Sequence, residues 1–358
     1  MKQFLLRDTL IYLDDNSFNS INKWMSLNHF DNKFIIADEN TSIHCLPVLL
    51  KHVPLLKDSF IIKMSSGESA KSIAQVEAIC SCLINKNIDR QSLIVNLGGG
   101  VVCDLGGFVA SIIKRGVKFI NIPTTLMSQI DAAIGGKVAV NFQDYKNQIG
   151  LFVDPQIVFV YTPFLLSLSH DDLLSAQAEI FKYGLIYDRL LWEQCRLESS
   201  NKIMNFKNMI SDCIKIKIKI VESDYYDYQG RRMLNFGHSI CHAIESVFLS
   251  TKKQPVSHGF ALSVGLICET YISYKKFKFS SKKLSIIVNT ILSVFPKINL
   301  VKALDNLVLK YLKSDKKNKN RLYNFTLIED IGVAVVNCSV SDIHIINSLD
   351  YYRKKCQT

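Results

Sequence analysis

Residues 92–116, "SLIVNLGGGVVCDLGGFVASIIKRG", run from aliphatic and β-branched residues through three consecutive glycines into a long apolar segment. A strand, a tight turn at Gly98, Gly99 and Gly100, and a helix beginning in that turn account for the order. Glycines at such a junction let the backbone approach a pyrophosphate, whose charge is favoured at the helix N-terminus. The stretch is not Gly-x-Gly-x-x-Gly, and taken alone a turn without a ligand stays open.

On either side the same alternation repeats. "KFIIAD" (33–38), "SFIIKM" (59–64), "KFINIP" (118–123) and "IVFVYT" (157–162) read as further strands. Between the second of these and residue 92, Ile73, Val76, Ile79 and Leu83 recur at helical spacing. Strands alternating with helices predict a parallel sheet covered by helices. Past Pro163 the patterns become long and helical, so an α/β domain over 1–163 and a mainly α-helical domain over 164–358 are expected. A chain of 358 residues is long enough for two cores.

The composition narrows the function. With 48% hydrophobic and 21% charged residues the chain reads as soluble and globular. No uncharged apolar run reaches the ~18 residues of a membrane span, since Pro163 breaks the nearest, 156–169. Arg7 and Asp8 interrupt the apolar stretch a signal peptide would need, and a cytoplasmic location is expected. The ten cysteines are scattered without a Cys-x-x-Cys pair, which favours free, buried thiols. The net charge of +11 suits a small anionic substrate. Nucleic acid is disfavoured, because lysine-rich stretches such as "KSDKKNKNR" (313–321) lack interleaved aromatics.

Polar residues gather at several predicted strand ends. Asp38, Glu39 and Asn40 follow one strand, Glu68 and Lys71 the next, and Thr124, Thr125, Asp131 and Lys137 another. Singly, Asp38 reads equally as a helix cap and the Glu68–Lys71 pair as a helix salt bridge. Together, at the carboxyl ends of one parallel sheet, they make a dinucleotide the leading candidate.

A second set carries chemistry. "GGKVAVNFQDYKNQIG" (135–150) supplies Lys137, Lys146 and Asn147, and "AEIFKYG" (178–184) supplies Glu179 and Lys182 in an apolar helix. A carboxylate there wants a cation, and a metal would serve. Lys217, Arg231, Asn235, His238, His242 and His258 follow, with His238 and His242 one helical turn apart. For each histidine alone, a core or capping role stays open.

In order, "GESAKS", "GGGVVCDLGGF", "RGVKFINIPTTL", "DAAIGGK", "KNQIG", "AEIFKYGLI", "LNFGHSICHAIE", "SHG" and "SDKK" resemble the 3-dehydroquinate synthases of the sugar-phosphate cyclase superfamily across essentially the whole chain. The resemblance implies a Rossmann-like NAD-binding domain, a helical metal- and substrate-binding domain and a homodimer. It implies NAD, one divalent metal (zinc or cobalt) and conversion of 3-deoxy-D-arabino-heptulosonate 7-phosphate to 3-dehydroquinate and phosphate in the shikimate pathway. The steps are oxidation, phosphate elimination, reduction and aldol closure. Carried over, the metal ligands would be Glu179, His238 and His258. Substrate and catalytic contacts would be Lys137, Lys146, Asn147, Arg115, Lys182, Lys217, Arg231, Asn235, His242 and Lys316 or Lys317. Cofactor contacts would be Asp38, Asn40, Glu68, Lys71, Gly99, Gly100, Val101, Asp104, Thr124, Thr125, Leu126, Asp131, Lys137, Lys146 and Ser167. The chain departs from the family at Val138 and Ala139 (usually Thr-Gly), Phe142 (usually His), Cys103 (commonly Gly) and Phe260, where His-Gly-Glu is expected. A sister cyclase, an aminated-substrate synthase, a polyol dehydrogenase and a degenerate paralogue are the alternatives.

Overall fold

Each strand expected around the glycine turn is present. β1 (Lys2–Leu6), β2 (Thr9–Leu13), β3 (Lys33–Asp38), β4 (Phe60–Met64), β5 (Leu93–Gly98) and β6 (Lys118–Pro123) are followed by the ribbon β7 (Lys137–Phe142) and β8 (Tyr145–Phe152), then β9 (Ile157–Val160). A computed structural model describes residues 2–13, 17–143, 145–200, 206–251, 256–277, 279–313 and 323–357. The main sheet runs β1-β2-β9-β6-β5-β3-β4. Its pairings are parallel except β1 with β2, an antiparallel hairpin at the edge that the sequence reading did not anticipate.

Helices cover both faces: α1 (Ser17–Leu27), α2 (Glu39–His44) and α3 (Leu46–His52) on one, α4 (Ile73–Asn85) and α5 (Gly100–Ile112) on the other. The two-residue period of the strands divides the core between them. Phe34 and Ile36 pack with α4 and α5, whereas Ile35 and Ala37 pack with α1 and α3. Both faces of β5 are therefore buried, which is why its sequence is a continuous apolar run. In α4, Val76, Ile79 and Leu83 are buried as the spacing predicts, but Ile73 is exposed, because it opens the helix just after the Ser72 cap.

The chain divides into two compact units: Met1–Ser169 with Ile210–Glu222, and His170–Met209 with Ser223–Thr358. This differs from a single change at 163, because most of α8 (Phe206–Ser223) belongs with the first unit. Long-range contacts hold it there: Lys2 donates to Ser211 Oγ at 3.1 Å, and Lys217 pairs with Asp131 at 2.5 Å.

The second unit contains α6 (His170–Ile186), α7 (Arg189–Ser200), α9 (His238–Ser250), α10 (His258–Phe277), α11 (Ser281–Val294), α12 (Asp305–Lys313) and α13 (Asp342–Gln357). It also carries an unanticipated antiparallel hairpin, β10 (Tyr323–Asp330) with β11 (Val333–Val340). From Ala261 to Thr270 every residue of α10 is buried, as suits a helix packed by α6, α9 and α13. Its glycines permit that packing: a Cβ on Gly265 would lie 2.0 Å from the Gly237 carbonyl oxygen. All ten cysteines are free, most of them buried. Among the described residues no helix is long and apolar enough to cross a membrane.

Candidate active site

In the first unit, the polar residues expected at the strand ends form a network around the glycine turn. Gly99 caps α5 without a side-chain hydrogen bond, so the first N–H groups of the helix carry no side-chain cap. The turn is tight: a Cβ on Gly98 would meet Val102 at 2.5 Å, and one on Gly99 would meet Thr125 at 3.0 Å. Thr124 donates its backbone N–H to the Gly98 carbonyl, while its buried hydroxyl has no partner among the described residues. Thr125 and Ser128 cap each other, their hydroxyls 2.9 Å apart. An uncapped helix start, a close-approach turn and an orphaned buried hydroxyl fit the phosphate end of a dinucleotide.

Glu68 and Lys71 do not form the helix salt bridge that their spacing allowed. Lys71, almost fully buried, bonds to Asp104 and donates to Asn147 Oδ1 at 2.5 Å. Glu68 instead accepts from Asn141 Nδ2 at 2.9 Å. Burial pushes the Asp104 carboxyl up, and the Lys71 ammonium opposes that shift. Next to this network is a cavity of about 350 Å³ lined by Glu68, Ser69, Lys71, Asn141, Phe142 and Gln143.

Other expected residues are placed differently. Asp38 caps α2, accepting from Thr41 N at 2.8 Å within a reciprocal capping box, and so takes the capping role left open for it. Asn40 is exposed on the first turn of α2, Leu126 is fully buried, and Val101 is half-buried. Ser167 donates its hydroxyl to the Phe164 carbonyl at 2.7 Å. Lys137 faces Phe152 at the base of the β7–β8 ribbon, whereas Lys146 and Asn147 lie near its tip. Arg115 joins neither group, because it follows the C-terminal end of α5, just before β6 begins. Lys316 and Lys317 lie outside the described residues.

In the second unit, three helix positions converge. Glu179 projects from the middle of α6, and His238 and His258 are the first residues of α9 and α10. Glu179 Oε1 lies 3.3 Å from Nε2 of each histidine, and one ligand atom from each of the three falls within 4.8 Å of the others. Tetrahedral zinc, with bonds of about 2.0–2.1 Å, separates its ligand atoms by about 3.3 Å. The donor set therefore fits a divalent metal. His238 Nδ1 lies 3.2 Å from the Phe236 carbonyl, which can only accept, so the proton belongs on Nδ1 and Nε2 presents its lone pair. The His242 ring lies 5.4 Å from that of His238 and 6.1 Å from that of His258, yet His242 is not part of the ligand cluster.

Lys182 faces Glu179 Oε2 at 2.5 Å, and both side chains are nearly inaccessible. Burial alone would push the Glu179 carboxyl up, but Lys182 and His238 outweigh it and hold it well below the ordinary carboxylate range. Burial and the Lys182 charge push His238 down, towards the neutral form a metal needs. Arg231, also buried, anchors Nη1 on the Tyr225 carbonyl at 2.7 Å, and Asn235 ends the same 3₁₀ turn.

Residues 61–175 match the family model for the 3-dehydroquinate synthase N-terminal domain, and residues 176–318 match the model for the C-terminal domain. The chain belongs to the 3-dehydroquinate synthase family. A 3-dehydroquinate synthase of Parabacteroides distasonis is 37% identical over 340 residues, covering 94% of this chain and 95% of that protein. Among solved structures, a 2-deoxy-scyllo-inosose synthase complexed with carbaglucose-6-phosphate, NAD+ and Co2+ superposes with a TM-score of 0.85 at 22% identity, covering 99% of both chains. The 2-epi-5-epi-valiolone synthase of Streptomyces hygroscopicus subsp. jinggangensis, with NAD+ and Zn2+ bound, gives 0.84 at 20% identity, covering 99% of this chain and 98% of that one. At these identities the two structures establish the shared fold.

Two residues that brace these clusters, one in each unit, were missed in the sequence. Asn141 accepts from Asn147 N at 2.9 Å and takes its own N–H to the Lys71 carbonyl, tying the ribbon to the Glu68–Lys71 turn. An asparagine interrupting the strand pattern "VAVNF" was the available signal. Glu269, fully buried on α10, accepts from Gly237 N at 2.6 Å and Ile240 N at 3.3 Å, and so holds the helix start that carries His238. A lone acid inside "GLICETYIS" marked it.

Proposed function

We propose that this chain is an NAD- and metal-dependent 3-dehydroquinate synthase acting on 3-deoxy-D-arabino-heptulosonate 7-phosphate. The observation that carries the reading is the buried Glu179, His238 and His258 cluster with Lys182 beside it, in a chain that matches both domains of the family. Glu179, His238 and His258 would hold zinc or cobalt, and the uncapped start of α5 with Thr124 would receive the NAD phosphates. When bound, the metal supplies Lewis acidity at a substrate alcohol and NAD supplies reversible hydride exchange.

The chain's own residues do the rest. Three protein ligands leave coordination positions for substrate oxygens. Lys182 keeps Glu179 ionised, and the Phe236 carbonyl keeps the His238 lone pair directed at the cluster. Arg231, oriented by Tyr225, presents a planar fork suited to a carboxylate, and Lys217, paired with Asp131, adds positive charge for anionic oxygens. Lys137 and Lys146 are the cations assigned to the phosphate, while His242 and Asn235 orient substrate hydroxyls. A homodimer in the cytoplasm is part of the same proposal, and light scattering of the purified protein checks the assembly.

The deciding experiment incubates the protein with the heptulosonate phosphate and NAD. Inorganic phosphate should be released, dependent on NAD and abolished by chelator, with no net NADH. Steady NADH accumulation would instead identify a polyol dehydrogenase, and release only from another sugar phosphate a sister cyclase.

A further inference from the structure

His258 is engaged through both ring nitrogens. Nε2 faces Glu179 Oε1 at 3.3 Å, and Nδ1 faces Glu245 Oε1 at 3.4 Å. Glu245 lies on α9, seven residues after His238, and is 8% exposed. A buried carboxylate is costly unless donors meet it: the Cys241 thiol lies 4.0 Å from Glu245 Oε2, and the closer partner is the imidazole, whose other nitrogen points into the metal cluster. His238 is backed differently, by the neutral Phe236 carbonyl. Two residues past His258 the chain carries Phe260, an apolar side chain, so the carboxylate behind His258 comes from α9 rather than from its own helix.

We infer that Glu245 is a positioning residue of the metal centre, accepting the Nδ1 proton of His258 so that its Nε2 lone pair is fixed towards Glu179. The inference rests on the metal assignment proposed above. Carboxylates that take the outer N–H of a ligating histidine fix its tautomer and ring orientation and strengthen it as a ligand. Because Glu245 stands on the helix that begins with His238, α9 carries one of the histidines and the carboxylate that faces the other. Cys241 offers a competing arrangement: its Sγ lies 3.8 Å from His258 Nδ1, and Cys241, Glu245 and His258 could together hold a thiophilic cation.

Cobalt titration of the metal-free full chain, read by chelator competition and by the visible absorption of Co2+, separates these arrangements. The parent should bind one equivalent. Glu245→Ala should weaken binding about ten- to a hundredfold and alter the spectrum, and Glu245→Gln, which keeps an acceptor without the charge, should fall between. Cys241→Ser should keep parental affinity and spectrum. Parental affinity and spectrum in both Glu245 variants would overturn the inference, even if their thermal midpoints fall. A near-ultraviolet thiolate-to-cobalt band that disappears in Cys241→Ser would also overturn it, by putting the cation on the Cys241 side. Should Glu245→Ala fail to fold, Glu245→Gln decides by the same readings. A parent that binds no cobalt sinks the metal assignment and this inference together, whereas a binding parent with unaltered variants sinks only the role of Glu245.

Discussion

Glu179 keeps its charge with only 2% of its surface exposed, because Lys182 lies 2.5 Å away and two imidazoles share its other oxygen. Removing one member of such a pair leaves the other buried and uncompensated, at a cost of about 3–5 kcal/mol. In the metal-free protein, Glu179→Gln should therefore lower the unfolding free energy by about that amount at neutral pH. The sign with pH follows from the depressed carboxyl. Its stabilisation is complete above the ordinary value of 4.5 and is lost as pH falls from there through the lower folded value. Urea unfolding of parent and variant between neutral and strongly acid pH should show a constant gap above that value and a closing gap below it. A gap that widens on acidification would contradict the assigned direction. His258→Ala should remove bound metal and activity together while far-ultraviolet circular dichroism stays parental.

At the scale of elements, the site depends on how closely α9 and α10 approach. Gly237, at φ +81°, turns the chain into α9, and its carbonyl occupies the space a side chain at 265 would need. Gly265→Ala should push the start of α9 away from α10, destabilise by about 1–3 kcal/mol as overpacking does, and lower metal content. Thermal melts and metal analysis check both effects, and a stable, metal-replete variant would show that the helices can yield. Such close approaches also mark what the sequence could reveal. β3, β5 and β6 were legible because strands buried on both faces need continuous apolar runs. The β7–β8 ribbon was not, since β7 alternates buried with more exposed residues and neither strand has such a run. The Glu179–Lys182 spacing on an apolar helix showed the core of the site, because a buried acid requires a cation. Lys71 with Asp104 was hidden by a sequence separation of 33 residues, and α8 by contacts with β1 and with Asp131 that no local period encodes.

Over the whole molecule, charge sets how an anionic substrate arrives. The chain carries 43 basic against 32 acidic residues, a net +11. That excess attracts a sugar phosphate over a distance set by the Debye length, about 10 Å at 0.1 M salt. Steering of this kind acts on encounter and not on the chemical step. For the proposed reaction, kcat/KM should therefore fall about threefold to tenfold as salt rises from about 20 mM to about 300 mM, while kcat holds steady. The dependence should be the same in chloride and acetate at equal ionic strength, because screening depends on ionic strength and not on the identity of the ion. A kcat that falls in parallel with kcat/KM would place the salt effect on the buried pairs at Glu179 or Asp131 instead. Those pairs are largely shielded from solvent, with side-chain exposures of 1% and 3% for Lys182 and Glu179 and of 6% and 28% for Lys217 and Asp131. Salt reaches such pairs weakly, so the encounter term should dominate and the two constants should separate.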